Sequence, residues 1–432
     1  MKNRFRSVPA RALGACVSVG LLSLGASAQD SAAGGPPHDP IRLPENFVDA
    51  RAGVVVVEPI VSEGPLPVAG YVRSPGNGAF LQSENGEFRF QIGAYTQIRW
   101  NGNFRDAPAG PDPEFGDADS TTGWSLARTR VFFEGRYTED FTYHFRTNTD
   151  PDSNTELLVA WGQYRIDDRW SVRFGKQFIP LSREDWMFAQ DLLTIEFSPN
   201  DFTYAIGPSL GGFLNYQGAA HRMWFSLHNG AYGGRESFPE PESDVAGTVR
   251  WEWLADGDEW AVFDDVVGRR GRAHGVLVGL SGGYQAGKRD NANGRRAGGQ
   301  LNADLSFNGD GYQAMVSGSA TYRDPQALNS FMNYGVMAQL GYFVTEKSQL
   351  YGQYNWLGPG DQPGNLEDFN SLALGYSYFP FEWTNRWKFS AEVGQLFGTL
   401  DQTVVEPSGA LGWFPSTESG QTYVKLQAQL GF

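Results

Sequence analysis

Sulfur and positive charge are what this sequence is short of. Cys16 is the only cysteine in 432 residues, so no intrachain disulfide can form and no thiolate cluster can hold a metal. Lys and Arg number 34 against 49 Asp and Glu, a formal net charge of −15. That balance disfavours nucleic acid, whose phosphates need a basic surface to displace their counterions. The histidines, His38, His144, His221, His228 and His274, include no pair at metal-ligand spacing and read as ordinary polar residues. No cofactor or metal is expected. Beyond the N-terminal segment, no apolar run reaches the roughly 20 residues a transmembrane helix needs. Such a chain crosses a bilayer only as a closed β-barrel, because hydrocarbon offers no water to unpaired backbone groups. Soluble all-β folds stay open on composition alone.

What is present begins with an export signature. Lys2, Arg4, Arg6 and Arg11 precede an apolar run from Ala12 to Gly25, and Ala26-Ser27-Ala28 has the small-residue form of a cleavage site. A signal peptide over 1–28 is expected, with the mature chain starting near Gln29. A membrane anchor is the weaker reading because the run is too short. Cys16 sits before most of that run, where a lipid-modified cysteine would follow it, so lipidation is disfavoured. Cleavage removes four cations, taking −15 to −19, and removes Cys16 with them, which excludes a Cys nucleophile. Residues 29–86 hold many prolines, Pro36, Pro37, Pro40 and Pro44 among them, and little periodicity. They read as a periplasmic tail or linker, mostly irregular, with Val54–Val57 as a candidate short strand.

The other end alternates cleanly. In Tyr423–Phe432, Val424, Leu426, Ala428, Leu430 and Phe432 fall on one face and Tyr423, Lys425, Gln427 and Gln429 on the other, since successive strand side chains point to opposite sides. One face suits lipid and the other water. A strand ending on a terminal Phe resembles the closing strand of bacterial outer-membrane barrels, where Phe432 would be part of the signal read by the barrel assembly machinery. From Glu87 the same alternation repeats. Phe88, Phe90, Ile92, Ala94, Thr96 and Ile98 oppose Arg89, Gln91, Tyr95, Gln97 and Arg99. Thr129, Val131, Phe133, Gly135 and Tyr137 oppose Arg128, Arg130, Glu134 and Arg136. Charges at alternate positions are costly against lipid and tolerated against a wet lumen.

Short polar turns recur near 138–140, 167–168, 218–220, 308–311, 345–348 and 384–386. Longer stretches lie near 101–123, 178–207, 231–243, 287–299, 323–332, 357–367 and 398–419. Short turns at one end and long loops at the other are the asymmetry of an outer-membrane barrel, and the count is about sixteen strands, with both termini periplasmic. The segment 254–272 is ambiguous: Trp260-Ala261-Val262-Phe263 reads as a strand or as part of an unusually long turn. Trp100, Trp124, Trp170, Trp251, Trp356, Trp383 and Trp387 sit near strand ends, as interfacial girdles require.

The run Arg128-Thr129-Arg130-Val131-Phe132-Phe133-Glu134-Gly135, followed by Phe174-Gly175-Lys176-Gln177-Phe178-Ile179-Pro180-Leu181-Ser182-Arg183-Glu184 and then Glu196-Phe197-Ser198-Pro199-Asn200, resembles the phosphate-selective porin O/P family. Lys176 and Gln177 are placed differently from that family's strand-end pattern. The likeness covers roughly 87–432 and is most distinctive over 128–205. It implies an all-β transmembrane antiparallel barrel in the cell outer membrane. It also implies an outer-membrane porin, a water-filled channel for passive diffusion of small solutes, with anions such as phosphate as candidates. Outer-membrane lipid, the assembly machinery, small solutes or inorganic anions and a homotrimer are the partners it implies.

By count, 178–207 is the third external connection, which in general porins folds inward and narrows the pore. The resemblance therefore places Arg183, Glu184, Asp185, Asp191 and Glu196 near a constriction. The alternative is that this amphipathic stretch, with Trp186, Met187, Phe188, Leu192, Leu193 and Phe197, only packs against the wall. Alternation puts Arg89, Arg99, Arg128, Arg130, Arg136, Arg146 and Arg173 on the lumen face of the first five strands, a basic wall that would raise local anion concentration. Against an anion preference stand the acidic whole chain and scarce lysine. Glu134 beside Arg128, Arg130 and Arg136 leaves a structural ion-pair network as an equal reading. The acidic run Asp106, Asp112, Glu114, Asp117 and Asp119 reads as a solvated loop rather than a divalent-ion site. An inward-pointing His144 offers no outer-surface Ser/His pair, so an enzyme is not expected. The rival reading is a structural or adhesive barrel with a blocked lumen, whose loops bind a surface partner.

Overall fold

A computed structural model describes residues 55–56, 68–72, 79–83, 85–106, 119–230, 243–290, 294–325, 330–362, 364, 366–382, 384–400, 403–405, 411–414 and 420–432. The expected signal peptide at 1–28, Trp383 and the acidic residues Asp112, Glu114 and Asp117 lie outside the described residues.

Three short strands come first, β1 (Val55–Val56), β2 (Val68–Val72) and β3 (Ala79–Ser83), and sixteen longer ones follow. These are β4 (Arg89–Arg105), β5 (Ser120–Arg136), β6 (Phe141–Thr149), β7 (Thr155–Arg165), β8 (Trp170–Phe178), β9 (Pro208–Gln217), β10 (His221–His228) and β11 (Ser243–Asp256). The second half comprises β12 (Gly275–Asp290), β13 (Gly294–Gly309), β14 (Tyr312–Pro325), β15 (Phe331–Phe343), β16 (Ser348–Gly358), β17 (Phe369–Tyr378), β18 (Lys388–Phe397) and β19 (Gln421–Gly431). Each of β4–β19 pairs antiparallel with its sequence neighbours, and β19 pairs back onto β4 from Gln421↔Arg105 to Gly431↔Tyr95. The sheet is a closed sixteen-strand barrel.

Closure continues past the last strand. Phe432 donates its N–H to Ala94 O at 2.9 Å and its O accepts from Ala94 N at 3.2 Å. Below that point β3 takes over the edge of β4, pairing Gln82↔Arg89 through Ala79↔Ile92, and β2 and β1 pair onto β3 in turn. Within 29–86, read as mostly irregular with Val54–Val57 as a candidate strand, the described residues include β1 at Val55–Val56 and also β2 and β3. Proline density hid two five-residue strands whose hydrogen bonds go to a partner edge that sequence pattern does not display. For the same reason Arg89 lies beside β3, while Gln427 and Gln429 oppose Arg99 and Gln97.

Burial follows the period of two. Along β19, Tyr423, Lys425, Gln427 and Gln429 are buried while Leu426 is exposed; along β4, Tyr95, Gln97 and Arg99 are buried. On the outer face, exposed Leu280, Leu301, Leu340, Leu350 and Leu374 form an apolar belt. Tyr137, Tyr164, Tyr342, Tyr378 and Phe432 rim one end, and Phe104, Trp124, Tyr284 and Phe397 the other, as interfacial aromatics do. A bulge leaves Ala127 unpaired on β5, so Arg128 stands opposite Gln97 and Leu126 opposite Ile98. β12 and β13 pair as far as Asp290↔Gly294, so most of the long loop expected at 287–299 belongs to the two strands.

Three connections turn inward. Loop 179–207 carries a short helix, α1 (Pro199–Tyr204), capped by Ser198, whose side chain accepts from Asp201 N. Ile179, Leu181, Met187, Leu192, Leu193, Ile195 and Tyr204 in this loop are all buried. The 398–420 loop buries Leu400, Val405, Leu411 and Trp413 against Tyr204, Leu357, Phe369 and Tyr423. The ambiguous 254–272 segment resolves as the last three residues of β11 followed by a long inward turn, 257–274. Trp260–Phe263 in it is a single 3-10 turn, with Val262 and Phe263 packed on Leu254 and Leu277.

Glycines admit the aromatic rings of the inner wall. Gly394 faces Tyr423 across the β18–β19 pair, and a Cβ there would sit 2.1 Å from the Tyr423 ring. Overpacking of this kind costs about 1–3 kcal/mol. Gly394→Val should therefore lower the unfolding midpoint of the detergent-solubilised barrel, read by the heat-dependent gel shift, whereas the outward-facing Val393→Leu should leave it unchanged.

Candidate functional site

The inner wall is divided by chemistry. Strands β12–β19 present mainly uncharged polar groups, including Gln300, Asn302, Gln313, Ser317, Gln339, Gln349, Gln353 and Asn355, nearly all buried beneath the inward connections. Arginines concentrate on β4–β8. Arg128, Glu134, Asn148, Trp161, Gln163 and Arg173 on β5–β8 remain half-buried, while Arg130, His144, Arg146, Lys176 and Gln177 on the same strands are buried, so this sector is covered only in part.

Loop 179–207 is fastened to the crowded side. Leu192 O accepts from Lys388 Nζ at 2.8 Å, Ile195 N donates to Glu392 Oε2 at 3.2 Å, Tyr204 OH donates to Tyr334 O at 3.0 Å, and Leu181 O accepts from Ser281 and Arg250. Glu392 also accepts from Tyr351 OH and Tyr423 OH and lies 3.7 Å from Lys425 Nζ. Behind the loop's start, Arg250 bridges Glu252 and Asp304, and Arg222 and Arg183 complete the cluster on Glu252. Alternation alone did not single out Lys388, Lys425, Glu392, Arg250, Glu252 or Asp304 as a loop anchor, because their partners lie far away in sequence.

The arginines fall into two groups. Arg99 and Arg128 converge on Glu196, at 2.9 and 2.6 Å, and Arg99 also donates to Gln427 Oε1 and Ile195 O. Burial pushes the Glu196 carboxyl up, but Arg128 and Arg99 overcome it and hold its pKa at about 2. Among the described residues, Arg130, Arg146 and Arg173 have only neutral partners. Arg130 donates to Tyr95 OH and Asn148 Oδ1, both at 3.0 Å. Arg146 reaches Gln190 Oε1 at 3.4 Å and lies over the Phe188 ring at 3.3 Å, with its Nε buried and unpartnered. Arg173 donates to Gln163 and Gln177 and stacks on Trp161 at 3.9 Å.

At the turn end, Arg136 is half-buried with its Nε unpartnered, and Arg89 donates to Gln91 and stacks on Phe80. Glu134 bonds His144 Nδ1 at 3.0 Å, so the ion-pair network expected between Glu134 and its neighbouring arginines is not what forms: Arg128 goes to Glu196 instead. His144 stacks between Trp161 and Phe188.

The loop's own acids are mostly turned away from this sector. Glu184 accepts from the N–H and Oγ of Ser198, and Asp201 accepts from Ser182. Asp185 Oδ2 is buried without a partner. Burial raises the pKa of all three carboxyls, and the neighbouring Asp201 adds to the rise at Glu184 and Asp185. Arg183 donates to Phe263 O on the inward turn and lies 3.6 Å from Glu252. Asp191 is half-buried, and its backbone O accepts from Val266 N at 3.4 Å.

The profile of the family described as "Phosphate-selective porin O and P" matches residues 98–385, two thirds of the chain and most of the barrel. The chain belongs to this porin family. Its fold is shared by solved structures at low identity. An anion-selective porin from Comamonas acidovorans is 13% identical with TM-score 0.53, covering 80% of this chain and 100% of that one. The outer membrane channel DcaP of Acinetobacter baumannii is 14% identical with TM-score 0.51, covering 81% and 99%. OmpT of Vibrio cholerae is 14% identical with TM-score 0.51, covering 79% and 98%. No curated protein sequence matches the chain. The porin is an outer-membrane channel protein, and the arginine-rich β5 motif that carried the family resemblance is the strand that meets Glu196.

Removing the carboxylate at Glu196 leaves the buried Arg99 and the half-buried Arg128 without their counter-charge. Glu196→Gln should destabilise the porin by about 3–5 kcal/mol, the range for breaking a buried pair from one side. Urea unfolding in detergent checks this, and an unchanged midpoint contradicts it.

Proposed function

We propose that the porin passes small anions, phosphate among them, by passive diffusion along the β5–β8 sector of its lumen. The observation that carries this reading is the fixed positive charge of Arg130, Arg146 and Arg173, whose partners are phenol, amide and ring groups rather than carboxylates. In a wet path between low-dielectric walls, such charge raises the local concentration of counter-ions. Glu196 offsets one of the two charges of Arg99 and Arg128, so that trio adds a single net positive charge. Glu184 and Asp201 are turned toward Ser198 and Ser182 rather than toward this sector. The acidic total of the whole chain therefore misrepresents the charge along the path. Arg130, Arg146 and Arg173 are assigned to the pore wall, and Phe188 and Asp191 to the face of loop 179–207 that meets it. No catalytic group takes part. Export through a cleaved 1–28 signal and assembly as a homotrimer in the outer membrane complete the proposal; the trimer rests on the family resemblance.

One observation favours the rival reading of a blocked barrel: three connections fill the β11–β19 side of the lumen. Planar-bilayer recording separates the two. The purified porin should carry ion current, with a reversal potential in a KCl gradient that reports chloride over potassium and a chloride current reduced by added phosphate. Absence of current sinks the channel reading, and potassium preference sinks the anion reading.

A pH dependence follows from loop 179–207. Burial and the neighbouring Asp265 raise the Asp191 carboxyl to about 6, against the pull of Arg146, Arg386 and Lys388. Lowering the pH from 7.5 to 5 protonates it and removes a negative charge near those cations. Anion preference should rise over that interval, and Asp191→Asn should abolish the rise. An identical pH profile in the variant contradicts the assignment.

A further inference from the structure

The long turn 257–274 enters the barrel from the end opposite loop 179–207, and it is built to stay there. Connections at this end need only a few residues, as at 310–311 between β13 and β14. Here Val262, Phe263, Val266 and Val267 are buried, each at 4% exposure or less. Gly268 adopts a φ of +64°, and a Cβ on it would lie 2.4 Å from Tyr312 O, so the turn passes directly against the wall. Gln349 Nε2 on the β16 wall donates to Val267 O at 2.6 Å.

The fastening that matters most is Arg269. It is 7% exposed, and its guanidinium donates to the neighbouring 379–387 turn: to Asn385 Oδ1 at 2.8 Å, Glu382 O at 2.9 Å, Phe381 O and Thr384 O. A planar guanidinium with five donors can hold a set of carbonyls in this way, and an ammonium cannot. Asn385 Nδ2 returns a bond to Asp265 Oδ2 at 3.1 Å. The two turns are thereby tied together across the sector from β12 to β17. At its inner end the bar meets the other inward element, where Val266 N donates to Asp191 O.

We propose that the 257–274 turn, pinned by Arg269 to the 379–387 turn, is a second constriction. It acts from the turn side in series with loop 179–207. It closes the uncharged Gln/Asn/Ser half of the lumen and so confines solutes to the arginine-lined half. This inference rests on the channel reading. It assigns the bar a role in specificity: the uncharged half, if opened, would give solutes a path that does not select by charge.

The test compares single-channel conductance and the chloride-to-potassium permeability ratio of the full-length porin with those of three variants in planar bilayers. One variant replaces residues 259–272 with Gly-Gly. The others are Arg269→Ala and Arg269→Lys. Each variant is first required to show the heat-dependent gel shift of a closed barrel. The replacement should raise conductance at least twofold and lower the permeability ratio toward unity, and Arg269→Ala should move both in the same direction. Arg269→Lys should resemble Arg269→Ala, because it keeps the charge and loses the fork. If the replacement does not fold, the Arg269 pair decides alone. A folded variant with wild-type conductance and ratio overturns the inference. If the wild-type protein is silent and the replacement conducts, the open-channel reading fails while the constriction stands.

Discussion

Everything in this molecule depends on the requirement that a sheet in hydrocarbon leave no unpaired edge. β19 meets it by pairing with β4 over its full length, and the C-terminal residue itself continues the ladder through Ala94. Where the C-terminus ends, β3 occupies the remaining stretch of the β4 edge. Closure fixes the period-two alternation on all sixteen strands at once, because a one-residue slip would turn a row of arginines and glutamines onto lipid. The position of each inward side chain is thus set by the backbone before any side chain interacts with another.

Closure also creates an interior that must be managed. A barrel of this size left empty would be a wide, weakly selective hole. Loop 179–207, the 398–420 loop and the 257–274 turn fill one side of it, with apolar residues against one another and polar backbone against the Gln/Asn/Ser wall. The wall is suited to that task, since amides and hydroxyls can serve either a docked loop or water. Several of these groups, Gln313 and Asn302 among them, keep buried atoms without protein partners. On the arginine side the decisive contrast is between guanidinium groups that share the Glu196 carboxylate and those held by Tyr, Asn, Gln and aromatic rings.

Much of this was legible in the sequence, and for a definite reason. Period-two alternation reports a face directly, so the inward set of β4, β5 and β19, the strand number and the third position of loop 179–207 could all be read from local pattern. Contacts between distant segments could not. Nothing near Glu196 marks it as the partner of Arg99 and Arg128, and alternation near Glu134 left its arginine neighbours as one of two readings while its bond goes to His144 on β6. The inward turn gave a faint signal that was left ambiguous: Val262, Phe263, Val266 and Val267 are too apolar for a turn facing water. Strands β2 and β3 were hidden for the same reason as Glu196, since their partner edge exists only once the barrel has closed.

The central claim is that water and solute occupy the β5–β8 sector while the opposite sector is filled. Cys16 is the only cysteine of the chain, so single introduced thiols report position cleanly. Gln163→Cys on β7 and Gln353→Cys on β16 place one thiol in each sector. The measurement is channel current before and after a charged, water-soluble thiol reagent. A fall in current for Gln163→Cys, with none for Gln353→Cys or the wild-type protein, is the predicted result. Block at Gln353→Cys with Gln163→Cys unaffected, or equal block at both, contradicts the account.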